Sequence, residues 1–125
     1  MAATKLDGAG AQKMKTLEEA LITLQTMHGM VERAAVEVKA QKSIGVIPQQ
    51  IKRLAVPLQG QLKGQFGMIA DQVAAFILAS TRGGGGDQTK IRTMREGVAM
   101  LRQAIELAAN KVKEQHSVAI EVSGD

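Results

Sequence analysis

The chain has 125 residues and a formal charge of +4, with 13 glycines and no cysteine, tryptophan or tyrosine. That length implies one domain, able to bury roughly two thirds of its unfolded surface. The missing cysteines exclude disulfides and thiolate chemistry and fit a cytoplasmic setting, and 2% aromatic content argues against stacking platforms for single-stranded nucleic acid.

Residues 1–15 are rich in Ala, Gly and Lys without a period, and read as a disordered N-terminal arm. Thr16-Leu17-Glu18-Glu19 has the form of a capping box, so a helical bundle domain is expected over 16–116. Leu17, Leu24, Val31 and Val38 then recur at seven-residue intervals, a heptad-like seam. Ser43 to Pro48 turns the chain, with Gly45 in the C-terminal cap region and Pro48 opening the next element.

The second helix is predicted over about 48–80, with a kink or break near Pro57. A proline there removes a hydrogen bond and clashes with the preceding turn. Leu58, Leu62, Phe66, Ile69, Val73, Phe76 and Ile77 fall at steps of three and four, the signature of one buried face. Gly60, Gly64, Gly67 and Ala74 lie roughly opposite. Each interior glycine costs about 1 kcal/mol relative to alanine, and close approach by another helix is the usual compensation. A central helix covered on both flanks is therefore expected.

Thr81 to Gly86 reads as a flexible turn and Asp87 as the cap of a third helix. In that helix Ile91, Val98, Ile105 and Val112 are seven apart, with Met94, Leu101 and Ala108 between them. Residues 117–125 read as a flexible C-terminal tail; Ser117–Val122 alternates like a strand, but one short strand is not stable alone. The expected fold is all-α: an antiparallel up-down-up bundle of three long helices, or four segments if the second breaks. Seven-residue seams predict shallow left-handed crossings.

No apolar run approaches the roughly 20 residues of a membrane span, and none resembles a signal peptide. The two histidines form no metal-ligand pair, so neither metal nor cofactor is expected. His28 borders the first seam, and His116 is expected in solvent at a fraying helix end. The glycines before Asp87 do not form a phosphate loop, because no strand precedes them and an acid stands where a lysine is needed. Arg82, Lys90, Arg92, Arg95 and the Lys52-Arg53 pair would make salt-sensitive phosphate contacts if they converged. Interleaved acids weigh against nucleic acid as the partner.

What remains is a non-enzymatic interaction module: an adaptor, scaffold or regulatory subunit working through helix faces. Apolar positions off the seams, such as Met30, Val36, Met100 and Leu107, favour a homo-oligomer or a helical protein partner. The expected contact surface is Gly60, Leu62, Lys63, Gly64, Phe66 and Gly67.

Gly60-Gln61-Leu62-Lys63-Gly64 resembles the His-x-[Leu/Ile]-Lys-Gly core of histidine phosphotransfer domains, helical bundles that dock response-regulator receivers. Lys63 and Gly64 match that pattern, while Gly60 stands in the place of the histidine. The resemblance implies a degenerate domain that binds a receiver without carrying phosphate.

Overall fold

The structure, a computed structural model, describes residues 2–82 and 84–121. The parts of the expected arm, glycine turn and tail at Met1, Gly83 and 122–125 lie outside the described residues. Asp7 starts the first helix. Its backbone is extended and its Oδ1 accepts the Gly10 amide at 2.6 Å, satisfying one of the amides that every helix start leaves free. Helix α1 therefore runs Gly8–Lys39. The expected capping box is not used: Thr16 lies inside the helix and its hydroxyl donates to the Gln12 carbonyl. Most of the expected arm is helical as well. Asp7 supplies a cap well upstream, and Ala9, Ala11, Gln12 and Lys13 are good helix formers.

Gln41, with φ of 68°, ends α1. The Gln41 and Lys42 amides return to the Val38 and Glu37 carbonyls at 3.0 and 2.9 Å, the double closure of a left-handed helix cap. Gly45 shapes the later turn instead. Helices α2 (Ile47–Lys63), α3 (Gly67–Arg82) and α4 (Asp87–His116) follow.

The predicted second helix is thus two helices, and the break is not at Pro57. Pro57 sits within α2 on the exposed side, where water can reach the Arg53 carbonyl that its ring leaves without a donor. The break falls between two glycines. The Phe66 amide closes α2 onto the Leu62 carbonyl at 2.7 Å, and the Phe66 carbonyl accepts the Ala70 amide at 2.9 Å to open α3. Among the described residues there are four helices, the arrangement expected if the second one breaks, with the break at 64–66 instead of near Pro57.

Helix α1 packs along α4 and α2 along α3; the two pairs meet through α1–α2 and α3–α4. With a rise of 1.5 Å per residue, the 32 residues of α1 span about 48 Å and the 17 of α2 about 26 Å. The α2–α3 hairpin therefore covers only half of the longer pair. The Ile44 amide donates to Asp87 Oδ2 at 3.1 Å, which ties the loop after α1 to the start of α4. Asp87 tethers a loop rather than capping its own helix. The other half of α1–α4 is a two-helix stem.

Buried positions follow the heptads. Leu17, Ala20, Leu24, Met27, Val31 and Ala34 face inward from α1, and Ile91, Met94, Val98, Leu101, Ile105 and Val112 from α4. The short hairpin contributes Ile51, Ala55, Leu58, Leu62, Ile69, Val73, Phe76 and Ile77. Packed helix faces, not local propensity, supply most of the stability of such helices.

At the stem's end, β1 (Ala2–Leu6) pairs antiparallel with β2 (Ser117–Glu121), from Ala2 opposite Glu121 to Leu6 opposite Ser117. The expected arm and tail are therefore paired over these residues. Antiparallel α1 and α4 deliver the two chain ends side by side, so each short strand finds the partner it lacks alone. His116 is not in open solvent. Its Nδ1 lies 3.2 Å from Asp7 Oδ1, its Nε2 lies 3.2 Å from Lys13 Nζ, and its carbonyl accepts the Asp7 amide at 3.0 Å. A Cβ on Gly10 would overlap the His116 Cβ, so glycine lets the clasp close.

The Gly10 amide, and then His116 and Lys13, hold the Asp7 carboxyl below its ordinary 3.8. A depressed carboxylate contributes stability that is complete above the unfolded value and lost as pH falls through the folded one. Asp7→Asn keeps a capping side chain but removes this titration. Between about pH 5 and about pH 2 its melting temperature should fall less than that of the wild type. Parallel curves in thermal denaturation followed by circular dichroism would show that the clasp adds nothing.

Candidate functional site

Only one side of α3 can face the core. Ile69, Ala70, Val73, Phe76, Ile77 and Ser80 take that side. Met68, Asp71, Gln72, Ala75, Leu78, Ala79 and Arg82 are exposed, and they share the opposite arc at steps of three and four. A solvent face is ordinarily charged or polar; here Met68, Ala75, Leu78 and Ala79 make it largely apolar. On the neighbouring α4 face stand Thr93, Glu96 and Met100, with Leu107 one heptad beyond Met100. Met68 is 81% exposed, Met100 66%, Leu107 56% and Leu78 51%.

Between the two helices lies an open cavity of about 280 Å³, lined by Gln72, Ala75, Phe76, Ala79, Thr93, Glu96, Gly97, Met100 and Leu101. Gly97 sets its floor. A Cβ there would overlap the Phe76 ring, standing 2.8 Å from Cε1. Lacking one, α4 lets Phe76 press against its backbone. Ala75 and Ala79 are too short to fill the space above. The result is a shallow apolar groove with one carboxylate, one amide and one hydroxyl at its edges. Such a lining suits the burial of an apolar surface.

A second groove, of about 190 Å³, separates α1 from α4 and is lined by Leu24, Gln25, His28, Arg95, Val98, Ala99 and Arg102. Glu32 accepts from Arg95 Nε and Nη2, both at 2.9 Å. That bond lowers the Glu32 carboxyl and raises the Arg95 guanidinium from their ordinary values. Both side chains are well exposed, so the pair contributes little to stability. His28 is exposed at the groove's edge, and among the described residues no hydrogen-bond partner orients it. The basic residues do not gather on one surface. Lys39, Arg92 and Arg95 line one surface groove, and Lys52 and Arg53 a separate one on α2. Among the described residues there is no group of three or more metal-ligating side chains, and no helix is long and apolar enough to cross a membrane.

The expected contact residues scatter. Gly60, Gly64 and Gly67 are exposed, and a Cβ on any of them would meet nothing within 4 Å. Among the described residues, therefore, no helix packs on the glycine strip, and the doubly covered central helix is corrected. Lys63 is exposed, Phe66 is half-buried against the core, and Leu62 is fully buried. Leu62 thus points into the protein's own interior. The reason is the break at 64–66: Gly64 and Gly67 flank a turn, where low helix propensity is useful and needs no packed neighbour. Besides Gly10 under His116, the helical glycine with a close neighbour is Gly97. Its signal was present in the sequence, a glycine interrupting the most regular helix, and the same cost argument applies to it.

No protein-family model, curated protein or solved structure matches the chain.

The two kinds of glycine predict opposite responses. Gly97→Ala must displace Phe76 and should cost about 1–3 kcal/mol, as overpacking does. Gly60→Ala enters open space within a helix and should gain about 1 kcal/mol. Urea unfolding of both variants checks the pair; a Gly97→Ala protein as stable as the wild type would contradict the packing at the groove floor.

Proposed function

We propose that the chain is a non-enzymatic interaction module, an adaptor, scaffold or regulatory subunit of the cytoplasm, that docks protein through the outer α3–α4 surface. The observation that carries this reading is the apolar groove above Gly97 and Phe76, with exposed Met100 in its lining and exposed Met68 and Leu78 on the outer face of α3. Exposed apolar side chains contiguous across two helices are a recurrent mark of contact sites. A groove between parallel ridges accepts the apolar face of a further helix, whose side chains at i, i+3 and i+4 reach inward. The short side chains of Ala75 and Ala79 would let that helix come close.

A second reading keeps the glycine strip as the contact. It is favoured by the open space over Gly60, Gly64 and Gly67 and by the exposure of Lys63 beside them. This is the surface that receiver docking would use under the resemblance to phosphotransfer domains, with Lys63 rather than an imidazole at the contact. Nucleic acid binding has weaker support, since the cations lie in separate grooves.

Two substitutions separate the surfaces. Met100→Glu should leave helicity and melting temperature unchanged, because Met100 is mostly exposed, and should weaken self-association or partner binding at least about tenfold, the effect of placing one charge in an apolar contact. Gly64→Leu should be silent. Light scattering and quantitative binding by the purified proteins decide. If Gly64→Leu abolishes association and Met100→Glu does not, the contact belongs to the glycine strip; if neither changes it, both surfaces are excluded.

A further inference from the structure

The outward arc of α3 has an ordered charge pattern. Asp71 stands toward its N-terminal end and Arg82 at its C-terminal end, and the exposed Ala75, Leu78 and Ala79 lie between them. Asp71, Ala75, Leu78 and Arg82 follow at steps of four, three and four, so they share one side of the helix. Neither charged group has a hydrogen bond or ion pair among the described residues. An acid at one end, a base at the other and an apolar middle are self-complementary when two copies meet antiparallel.

We infer that α3 is the contact helix of a twofold-symmetric dimer, in which α3 of a second copy lies antiparallel on it and Asp71 of each copy pairs with Arg82 of the other. The inference rests on the reading of the α3–α4 surface as a docking face and names its occupant, a second copy of this chain. The midpoint between residues 71 and 82 falls between Ala75 and Leu78. The twofold axis there puts each Leu78 against the other copy's Ala75, a large side chain over a small one. A self-matching patch of this kind closes after two copies, since the same surface serves both subunits. The groove beside it, with Met100 on its far wall, receives the edge of the partner helix. An unrelated helical partner is the competing occupant, and nothing requires it to carry charges in this arrangement.

Charge exchange tests the pairing. The full chain should dimerise in sedimentation equilibrium at up to about 100 μM, the range where a weak specific contact is populated. Asp71→Arg turns both ion pairs into repulsions, as does Arg82→Asp, and each should weaken the dimer at least about tenfold. The double variant Asp71→Arg/Arg82→Asp restores both pairs with reversed sign and should dimerise like the wild type. Both positions are exposed, and circular dichroism confirms that each variant folds. Rising salt should change the wild-type and exchanged dimers alike. A wild type that stays monomeric, a single variant that dimerises normally, or a double variant that fails to recover overturns the inference. Met100→Glu against a separate protein partner decides the docking face itself, so a monomeric protein that loses a partner on that change sinks the dimer alone.

Discussion

The long antiparallel seam between α1 and α4 is the constraint on which the rest of the molecule depends. It brings the chain ends together, which is why two five-residue strands can pair and why Asp7 and His116 can meet. It also leaves a length mismatch. Helices of 32 and 30 residues cannot be covered along their whole length by a hairpin of 17 and 16. The bundle is four helices thick at one end and two at the other. At the thin end the seam relies on close approach, with Gly10 under His116 and half-buried Ala108 and Ala109 packed on the core. At the thick end it relies on larger aliphatic side chains.

The short hairpin inherits an uneven task. Its α3 must bury enough on one side to hold Phe76 and Val73 in the core, yet its other side is apolar too. An aliphatic outer face contributes nothing to the fold of a single chain and raises the risk of non-specific aggregation. A protein can tolerate this where the face is covered in use. That consideration, rather than any catalytic group, directs the proposed function to α3 and α4.

Much of the fold was legible because heptads are a strong signal. Leu17, Leu24 and Val31 on α1 and Ile91, Val98, Ile105 and Val112 on α4 are buried as their spacing requires. The helix boundaries were less legible, for identifiable reasons. Thr16 and Asp7 are both competent caps, and choosing between them depends on whether the segment before Thr16 has something to pack against, as Gly10 does on His116 and Met14 on the core. Pro57 looked like the breaker, but an exposed proline costs less than a buried one, because water satisfies the carbonyl it orphans. The pair Gly64 and Gly67 was the true break. Two glycines around a turn and two glycines beneath a packed helix have the same spacing, and only tertiary contacts separate them. The candidate surface suffered from the same ambiguity. Met100 and Leu107 are legible as surplus apolar positions, whereas the role of Gly97 depends on Phe76, a neighbour from another helix.

Charge decides which surface can bring copies of this chain together. Each copy carries a formal +4, so two molecules repel on random approach, and that repulsion falls with salt. Association must use a patch whose local charge cancels. Around Lys52 and Arg53, or Lys39 and Arg92, a second copy would present like charge. The strip from Asp71 to Arg82 has one acid and one base and is neutral as a whole. In the proposed pairing the apolar centre would meet its copy where local charge cancels, while the net positive charge of each molecule keeps random encounters apart.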